Sequence, residues 1–187
     1  MNVIVTNSFA GTGFAATNSI TFGVHGANVE TITDRSAGNI ALSNFTLASD
    51  ILQVSLASSS VVNLVTGANA AVAAGAITIT GAAAAQALSA NTNLVNVTGA
   101  TYASDALFLA AVKNGGARAL TSQAGNFVAG TGMLAEYDDG TNVHIVEIVQ
   151  AGTAASTFND TAVIRDVATL PGTITHITAA GPLVFIV

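Results

Sequence analysis

The chain has no charged side chain between Asp50 and Asp105. An uncharged segment of this length either crosses a membrane or supplies much of a folded core. A membrane-spanning helix needs about 20 mostly apolar residues in a row, whereas polar groups such as Ser58-Ser59-Ser60 and Thr66-Gly67 interrupt this segment repeatedly. The sequence therefore predicts no membrane insertion and a core built from short apolar runs.

Short alternating segments indicate that these runs are β-strands. Leu52 and Val54 alternate with polar neighbours, and Val95 and Val97 do the same. A period of two with β-branched residues is typical of strands that bury one face. Turn-forming clusters such as Ala10-Gly11-Thr12-Gly13 separate the segments. The same alternation occurs in residues 20–24 and 77–80.

The clearest local prediction is a β-hairpin from Met133 to Val149. Its two arms flank residues 138–142, where an Asp-Gly pair favours the positive φ of a tight reversal. Asp138, Asp139 and Asn142 could also act as clustered oxygen ligands, which calcium prefers. Because Asp and Asn are common turn formers, a plain hairpin turn is favoured, and a calcium site stays open as the alternative.

One α-helix is predicted from Ser104 to Lys113. Ser104 can cap its start, Asp105 places negative charge in the first turn, and Asn114-Gly115-Gly116 ends it. A second, shorter helical turn is predicted from Ala82 to Leu88, where four consecutive Ala favour helix. The apolar stripe of the first helix is predicted to comprise Leu107, Phe108, Ala110, Ala111 and Val112.

These elements together predict a mainly-β fold, either a β-sandwich or β-roll-like, with one or two short α-helices. The 187 residues are expected to form a single β-rich domain with one core. A loose subdivision separates a β-rich half, residues 1–81, from an α+β half, residues 82–187. No clean internal repeat of about 20–50 residues is recognised.

Charge and residue usage exclude several classes of function. The chain has 4 basic and 10 acidic residues and a net charge of −6. So few cations cannot form a phosphate-neutralising surface, which excludes nucleic-acid binding. The chain has no Cys, which excludes disulfide scaffolds, thiolate zinc sites and cysteine nucleophiles.

Two patterns imitate cofactor sites but are interpreted as structural. Gly11-Thr12-Gly13-Phe14-Ala15-Ala16 matches a dinucleotide-binding G-x-G-x-x-A pattern, yet an alternating strand segment follows it where a helix is required. His25, His144 and His176 are far apart in sequence and are predicted to be ordinary strand-surface residues. His144 and Glu147 would point to opposite faces of a strand, which disfavours a shared zinc site. The sequence thus predicts no enzymatic activity and no cofactor besides the calcium alternative.

The scarcity of charge predicts self-association. Only 7% of the residues are charged, against about 25% in an ordinary soluble domain. Natural sheets protect their edges with charged side chains, especially Lys, and the only Lys of this chain, Lys113, falls on the predicted helix. Exposed strand edges are therefore expected to pair with other copies of the chain. The residues predicted to do so lie in the apolar terminal strands: Val3, Ile4, Val5, Val184, Phe185 and Ile186.

Several segments resemble a family of exported proteins. They are Ile32-Thr33-Asp34 with residues 44–55, residues 93–99, and residues 137–142, followed by a strand-rich ending with an apolar C-terminus. They resemble the C-terminal, non-repeat modules of bacterial RTX-like surface and S-layer proteins, which leave the cell by type I secretion. The resemblance implies an extracellular, cell-surface location and a structural or adhesive role. The calcium-binding Gly-Gly-x-Gly-x-Asp nonapeptide of the family's repeats is absent, so calcium dependence is not implied.

The sequence as a whole predicts a secreted bacterial structural protein. Its copies would assemble into an extracellular filament or surface layer, a homopolymer held by strand-edge complementation. The alternative is a monomeric adhesive or secretion module of an RTX-like exported protein, with or without bound calcium.

Overall fold

A computed structural model describes residues 4–7, 18–21, 29–32, 40–56, 63–76, 78–172, 177 and 183–186. Over these residues the chain is mainly β with one short α-helix, which confirms the predicted fold class. The helix is α1 (Asp105–Val112). The strands are β1 (Ile4–Asn7), β2 (Asn18–Thr21), β3 (Val29–Ile32), β4 (Ile40–Ser43), β5 (Ile51–Ser55), β6 (Asn63–Leu64), β7 (Gly75–Ala76), β8 (Ile79–Ala82), β9 (Gln86–Ala87), β10 (Leu94–Thr101), β11 (Leu120–Thr121), β12 (Thr131–Asp138), β13 (Asn142–Val149), β14 (Val163–Pro171) and β15 (Leu183–Ile186).

The first five strands alternate between two sheets. Strands β1, β3 and β5 lie side by side in parallel in one sheet, and β2 and β4 pair in parallel in the other. The chain therefore winds as a coil that places one strand in each sheet per turn. This is the arrangement of a parallel β-roll, and we refer to strands β1–β5 as the roll.

The roll has a strict period that sequence analysis did not recognise. Successive strands begin 11 residues apart, at Asn18, Val29, Ile40 and Ile51. Each strand pairs with the strand one full coil later, in the register Asn18↔Ile40 and Val29↔Ile51. The expectation of no internal repeat is therefore wrong for this part of the chain. The repeat escaped notice because spacing, and not residue identity, carries it.

Two large sheets contain most of the described strands. One has five strands in the order β1-β3-β5-β15-β7, and the other has eight, in the order β2-β4-β14-β13-β12-β10-β8 with β6 beside β12. Strands β9 and β11 form a separate small pair. Strands β12 and β13 form the predicted hairpin, in the antiparallel register Gly132↔Val149 to Asp138↔Val143.

Two clusters of buried side chains form the core. One fills the roll and continues under β13 and β14, where Leu52, Val54 and Ile145 are fully buried. The second lies between α1 and the eight-stranded sheet and includes Phe108 and Val146. The alternation predicted at Leu52 and Val54 is confirmed, since both are fully buried while the intervening Gln53 is partly exposed. Strand β10 differs from its prediction, because Asn96 is also buried.

The helix agrees with its predicted ends, but part of its predicted buried stripe is wrong. Ser104 caps the start, where its hydroxyl accepts the N–H of Leu107 at 3.4 Å. Phe108 and Val112 are buried, whereas Leu107 is 57% exposed. Ala110 is exposed as well. A short helix on a sheet buries the narrow i, i+4 line and leaves its flanks to solvent.

The second helical turn predicted from Ala82 to Leu88 is wrong. Ala82 ends β8 and is fully buried in the eight-stranded sheet, and Gln86–Ala87 forms β9. Sheet pairing on both sides overrides the helix propensity of a four-residue Ala run. Within the described ranges, no helix is long and apolar enough to span a membrane.

Candidate functional site

The turn between β12 and β13 is stabilised by its own aspartates. Gly140 adopts a φ of +91°, which glycine reaches without strain. Asp138 Oδ1 accepts the N–H of Gly140 at 2.5 Å, and Asp139 Oδ1 accepts the N–H groups of Thr141 and Asn142, both at 2.6 Å. These oxygens of the candidate calcium ligands Asp138 and Asp139 therefore already stabilise the turn, and calcium binding there stays a prediction.

His144 connects this turn to the neighbouring strand. Its Nε2 lies 2.9 Å from Asp139 Oδ2, and its Nδ1 lies 3.1 Å from Asp166 Oδ1 in β14. The imidazole thus has a carboxylate at each ring nitrogen, an arrangement that favours the doubly protonated, cationic form.

The electrostatics of His144 and Asp139 agree with this arrangement. Burial lowers the pKa of His144, but hydrogen bonds and charge attraction from Asp166 and Asp139 outweigh it and raise the pKa to about 9. Burial likewise tends to raise the pKa of Asp139, but the bonds from His144 and from the turn N–H groups lower it to about 2. The pair is therefore ionised across the neutral range, and each partner stabilises the charge of the other.

Asp105 brings the start of α1 to the same place. The phenol of Tyr137 donates a 2.6 Å hydrogen bond to Asp105 Oδ1. The ring of Tyr137 stacks on His144 on one side and on Phe108 on the other, with centroid distances of 4.8 and 4.5 Å. Burial raises the pKa of Asp105, and burial together with the Asp105 hydrogen bond raises the pKa of Tyr137. We call Asp105, Tyr137, Asp139, His144 and Asp166 the carboxylate–histidine cluster.

The carboxylate–histidine cluster could hold a proton or a cation. The ligand atoms of Asp105, His144 and Asp166 lie within 4.8 Å of one another. A divalent cation would have to displace the proton that Asp139 and Asp166 stabilise on the imidazole. No described hydrogen bond joins His144 to a serine, threonine or cysteine, which a nucleophilic mechanism would require. The geometry therefore best fits a structural tie between the helix, the hairpin and β14.

The free edges of the two large sheets form a second candidate site. Each large sheet has one end strand from the first 21 residues, β1 or β2, and the other from residues 75–82, β7 or β8. Along each sheet path of described strands, these four strands have a partner on one side only. None of the four contains a charged residue or a proline, although these are the residues by which natural sheets protect their edges.

The residues predicted to self-associate fall into different settings. Ile4 and Val5 lie in edge strand β1, whereas Val3 lies outside the described residues. Val184 and Phe185 lie in β15, which is paired on one side with β5 and on the other with β7. Ile186 ends the same strand and pairs with Ser55. The C-terminal strand would therefore have to leave its own sheet before it could join another copy.

Hydrogen bonds between side chains follow the period of the roll. The Thr31 hydroxyl donates to Gln53 Oε1 at 3.0 Å, and the Ser43 hydroxyl donates to Thr21 Oγ1 at 2.9 Å. Both pairs are separated by 22 residues, one full coil. The second pair ends at edge strand β2, so polar side chains there are aligned for a further strand.

Comparison with protein-family models, with curated proteins and with solved structures returns no match. The resemblance to RTX-like exported modules therefore stays a prediction. His25, His176 and the glycine motif of residues 11–16 lie outside the described residues. Sequence analysis missed the carboxylate–histidine cluster, although the position of Asp139 and His144 on either side of one tight turn was a usable signal.

Proposed function

We propose that this protein is a non-enzymatic structural protein whose copies join end to end through the edges of their sheets. The observation that carries the proposal is that all four described edge strands, β1, β2, β7 and β8, lack charges and prolines. An unprotected edge presents a row of free N–H and C=O groups, which another strand can satisfy.

Strand directions define how two copies would meet. Following the pairings through the eight-stranded sheet, β8 runs parallel to β2. In the five-stranded sheet, β7 runs antiparallel to β1. Contact between the β1/β2 end of one copy and the β7/β8 end of the next would therefore pair β2 with β8 in parallel and β1 with β7 in antiparallel fashion.

Such a contact is head-to-tail, because it joins two different surfaces of the same chain. A heterologous contact that does not close into a ring propagates as a filament. The two ends carry no like charges that would repel each other, and hydrogen bonding along paired strands needs no particular side chains. A filament or a layer built of filaments is the assembly that this contact supports.

The setting that we propose for the assembly is extracellular, at a bacterial cell surface. The support for it is the resemblance of residues 44–55 and 137–142 to modules of RTX-like surface proteins. A low content of charged side chains is compatible with a protein that functions as a layer and not as a freely diffusing monomer.

The test introduces one charge at an edge. Gly81 lies in edge strand β8, and a Cβ added there would meet no atom within 4 Å. Gly81→Lys therefore places a cation at the edge without a clash, and we expect the concentration for half-maximal assembly to rise about tenfold or more, about 1.4 kcal/mol. The matched control is Ala110→Lys, which adds the same charge on the exposed side of α1.

Sedimentation velocity and negative-stain microscopy provide the measurement. The wild-type protein and Ala110→Lys should form regular particles at the same concentration, and Gly81→Lys should remain dispersed there. If all three remain single particles up to millimolar concentration, the structural proposal fails. The monomeric adhesive or secretion module then becomes the better account.

A further inference from the structure

Glu30 is an acid inside the roll, one strand away from the free edge. It lies in β3 between Val5 of edge strand β1 and Leu52 of β5 in the sheet register. Its side chain is fully buried, as is that of Leu52, and it therefore occupies a position of the core row. A carboxyl group at an apolar core position needs a reason beyond packing.

Glu30 has no compensating partner among the described residues. Neither carboxylate oxygen accepts a hydrogen bond from the described part of the chain. The strands around it, β1 and β5 alongside and β2 and β4 in the facing sheet, contain no ionisable residue. His25, Asp34 and Arg35, in the connections on either side of β3, lie outside the described residues.

The second buried acid that we compare with it is partnered. Glu136, in the middle of the eight-stranded sheet, accepts the N–H of Ile177 through Oε2 at 3.1 Å. Ionisation of Glu30 without a donor costs far more than ionisation of a bonded carboxyl, and the chain can avoid that cost by exposing the group to water. The least costly way is to displace β1, which has four residues and one described partner strand.

We propose that Glu30 is a proton-operated latch on the self-association edge: the neutral carboxyl keeps β1 seated on β3, and the ionised carboxyl releases it. The assembly part of this proposal rests on the proposed function, whereas the release of β1 is a property of the single chain. When β1 is seated, both edges at that end are available for pairing. When it is released, the edge of the five-stranded sheet is lost, and head-to-tail contact weakens.

The direction of the pH dependence follows from burial. Burial raises the pKa of Glu30 from 4.5 to about 7. The seated form binds the proton more tightly than the open form, so its stability is complete below about pH 4.5 and is lost as the pH rises through 7. The latch is therefore closed in mild acid and open in mild alkali.

The experiment measures hydrogen exchange of residues 4–7 and 29–32 in the dilute monomer at pH 5.5 and 8.5, corrected for intrinsic exchange rates. We expect the protection of β1 to fall roughly tenfold or more in the wild-type protein between these pH values. In Glu30→Gln, which is neutral at every pH, protection should be the same at both. Glu30→Leu, which extends the apolar row of Leu52, serves if the amide variant does not fold.

Glu136→Gln is the matched control. Burial raises the pKa of Glu136 to about 8 although the Ile177 N–H opposes the shift. Its replacement should change the pH dependence of global unfolding and leave the pH-dependent release of β1 intact. If β1 loses protection equally in the wild-type protein and in the Glu30 variants, or in none of them, the latch is overturned.

Assembly at the two pH values separates the latch from the proposed function. Pelleting that is stronger at pH 5.5 in the wild-type protein but equal at both pH values in Glu30→Gln supports both. A pH-dependent release of β1 with no assembly at any concentration supports the latch and removes the proposed function. Assembly whose pH dependence survives in Glu30→Gln overturns the latch alone.

Discussion

The roll and the hairpin region solve the problem of buried acids in opposite ways. In the hairpin region, Asp139 and Asp166 each contact His144, and Asp105 accepts the hydroxyl of Tyr137. In the roll, Glu30 is buried with no hydrogen-bond donor among the described residues. The hairpin region is thus closed by contacts within one chain, whereas the roll ends in a strand edge that its own described residues leave unpaired.

The difference comes from how each region is wound. An antiparallel hairpin returns within a few residues, so a turn such as Asp138 to Asn142 can satisfy its own polar groups. A parallel coil satisfies each strand only with the next coil, here 22 residues away. The first coil then has an unpaired side by construction, and another copy of the chain is the natural partner for it.

The largest expected effect tests whether the hairpin region is the stable part. Phe108 is fully buried and stacks on Tyr137 with a centroid distance of 4.5 Å. Phe108→Ala should lower the free energy of unfolding by about 3–5 kcal/mol in urea titrations, because it removes a large side chain and leaves a cavity. Leu107→Ala, at the adjacent exposed position, should change it by less than about 0.5 kcal/mol. Similar effects of both variants would mean that α1 is not packed as described.

A smaller effect tests the charge pairing of the hairpin region. The raised pKa of His144, about 9, means that its contribution to stability is complete below about pH 6.5 and is lost as the pH rises through 9. Asp166→Asn removes one carboxylate, so the pKa of His144 should fall by about 1 unit or more, and the alkaline loss of stability should begin earlier. NMR titration of the imidazole measures this pKa directly.

The control for the imidazole titration is Asp160→Asn. Asp160 is paired with Lys113 at 2.9 Å, but its side chain is 79% exposed, and such surface pairs contribute about 0–1 kcal/mol. The pKa of His144 should not move in this variant. An imidazole that titrates near its ordinary value in the wild-type protein would contradict the pairing with Asp139 and Asp166.

Local signals in the sequence predicted the hairpin and the helix. An Asp-Gly pair inside residues 138–142 and a Ser-Asp start at Ser104 act over a few residues, and both predictions are confirmed. The turn predicted from Ala82 to Leu88 failed because a local propensity met sheet pairing with β10 and β11, which lie farther along the chain.

Long-range pairing limited the remainder of the prediction. The roll depends on parallel partners one coil apart, and a four-residue strand such as Asn18–Thr21 carries little pattern of its own. With the coil known, three similar tripeptides are visible before the strand starts: Gly26-Ala27-Asn28, Ala37-Gly38-Asn39 and Ala48-Ser49-Asp50. The carboxylate–histidine cluster was missed for the same reason, since Asp105, His144 and Asp166 come from three separate elements.

The most direct test of the account is site-specific cross-linking between the two edges. The chain has no Cys, so Thr21→Cys in β2 and Gly81→Cys in β8 each introduce a single thiol at an edge. When the two single variants are mixed and treated with a short bifunctional maleimide, the account predicts covalent dimers that form much faster than in mixtures of either variant with Ala110→Cys. Equal and slow cross-linking in all mixtures, at concentrations where the protein associates, would contradict head-to-tail edge pairing.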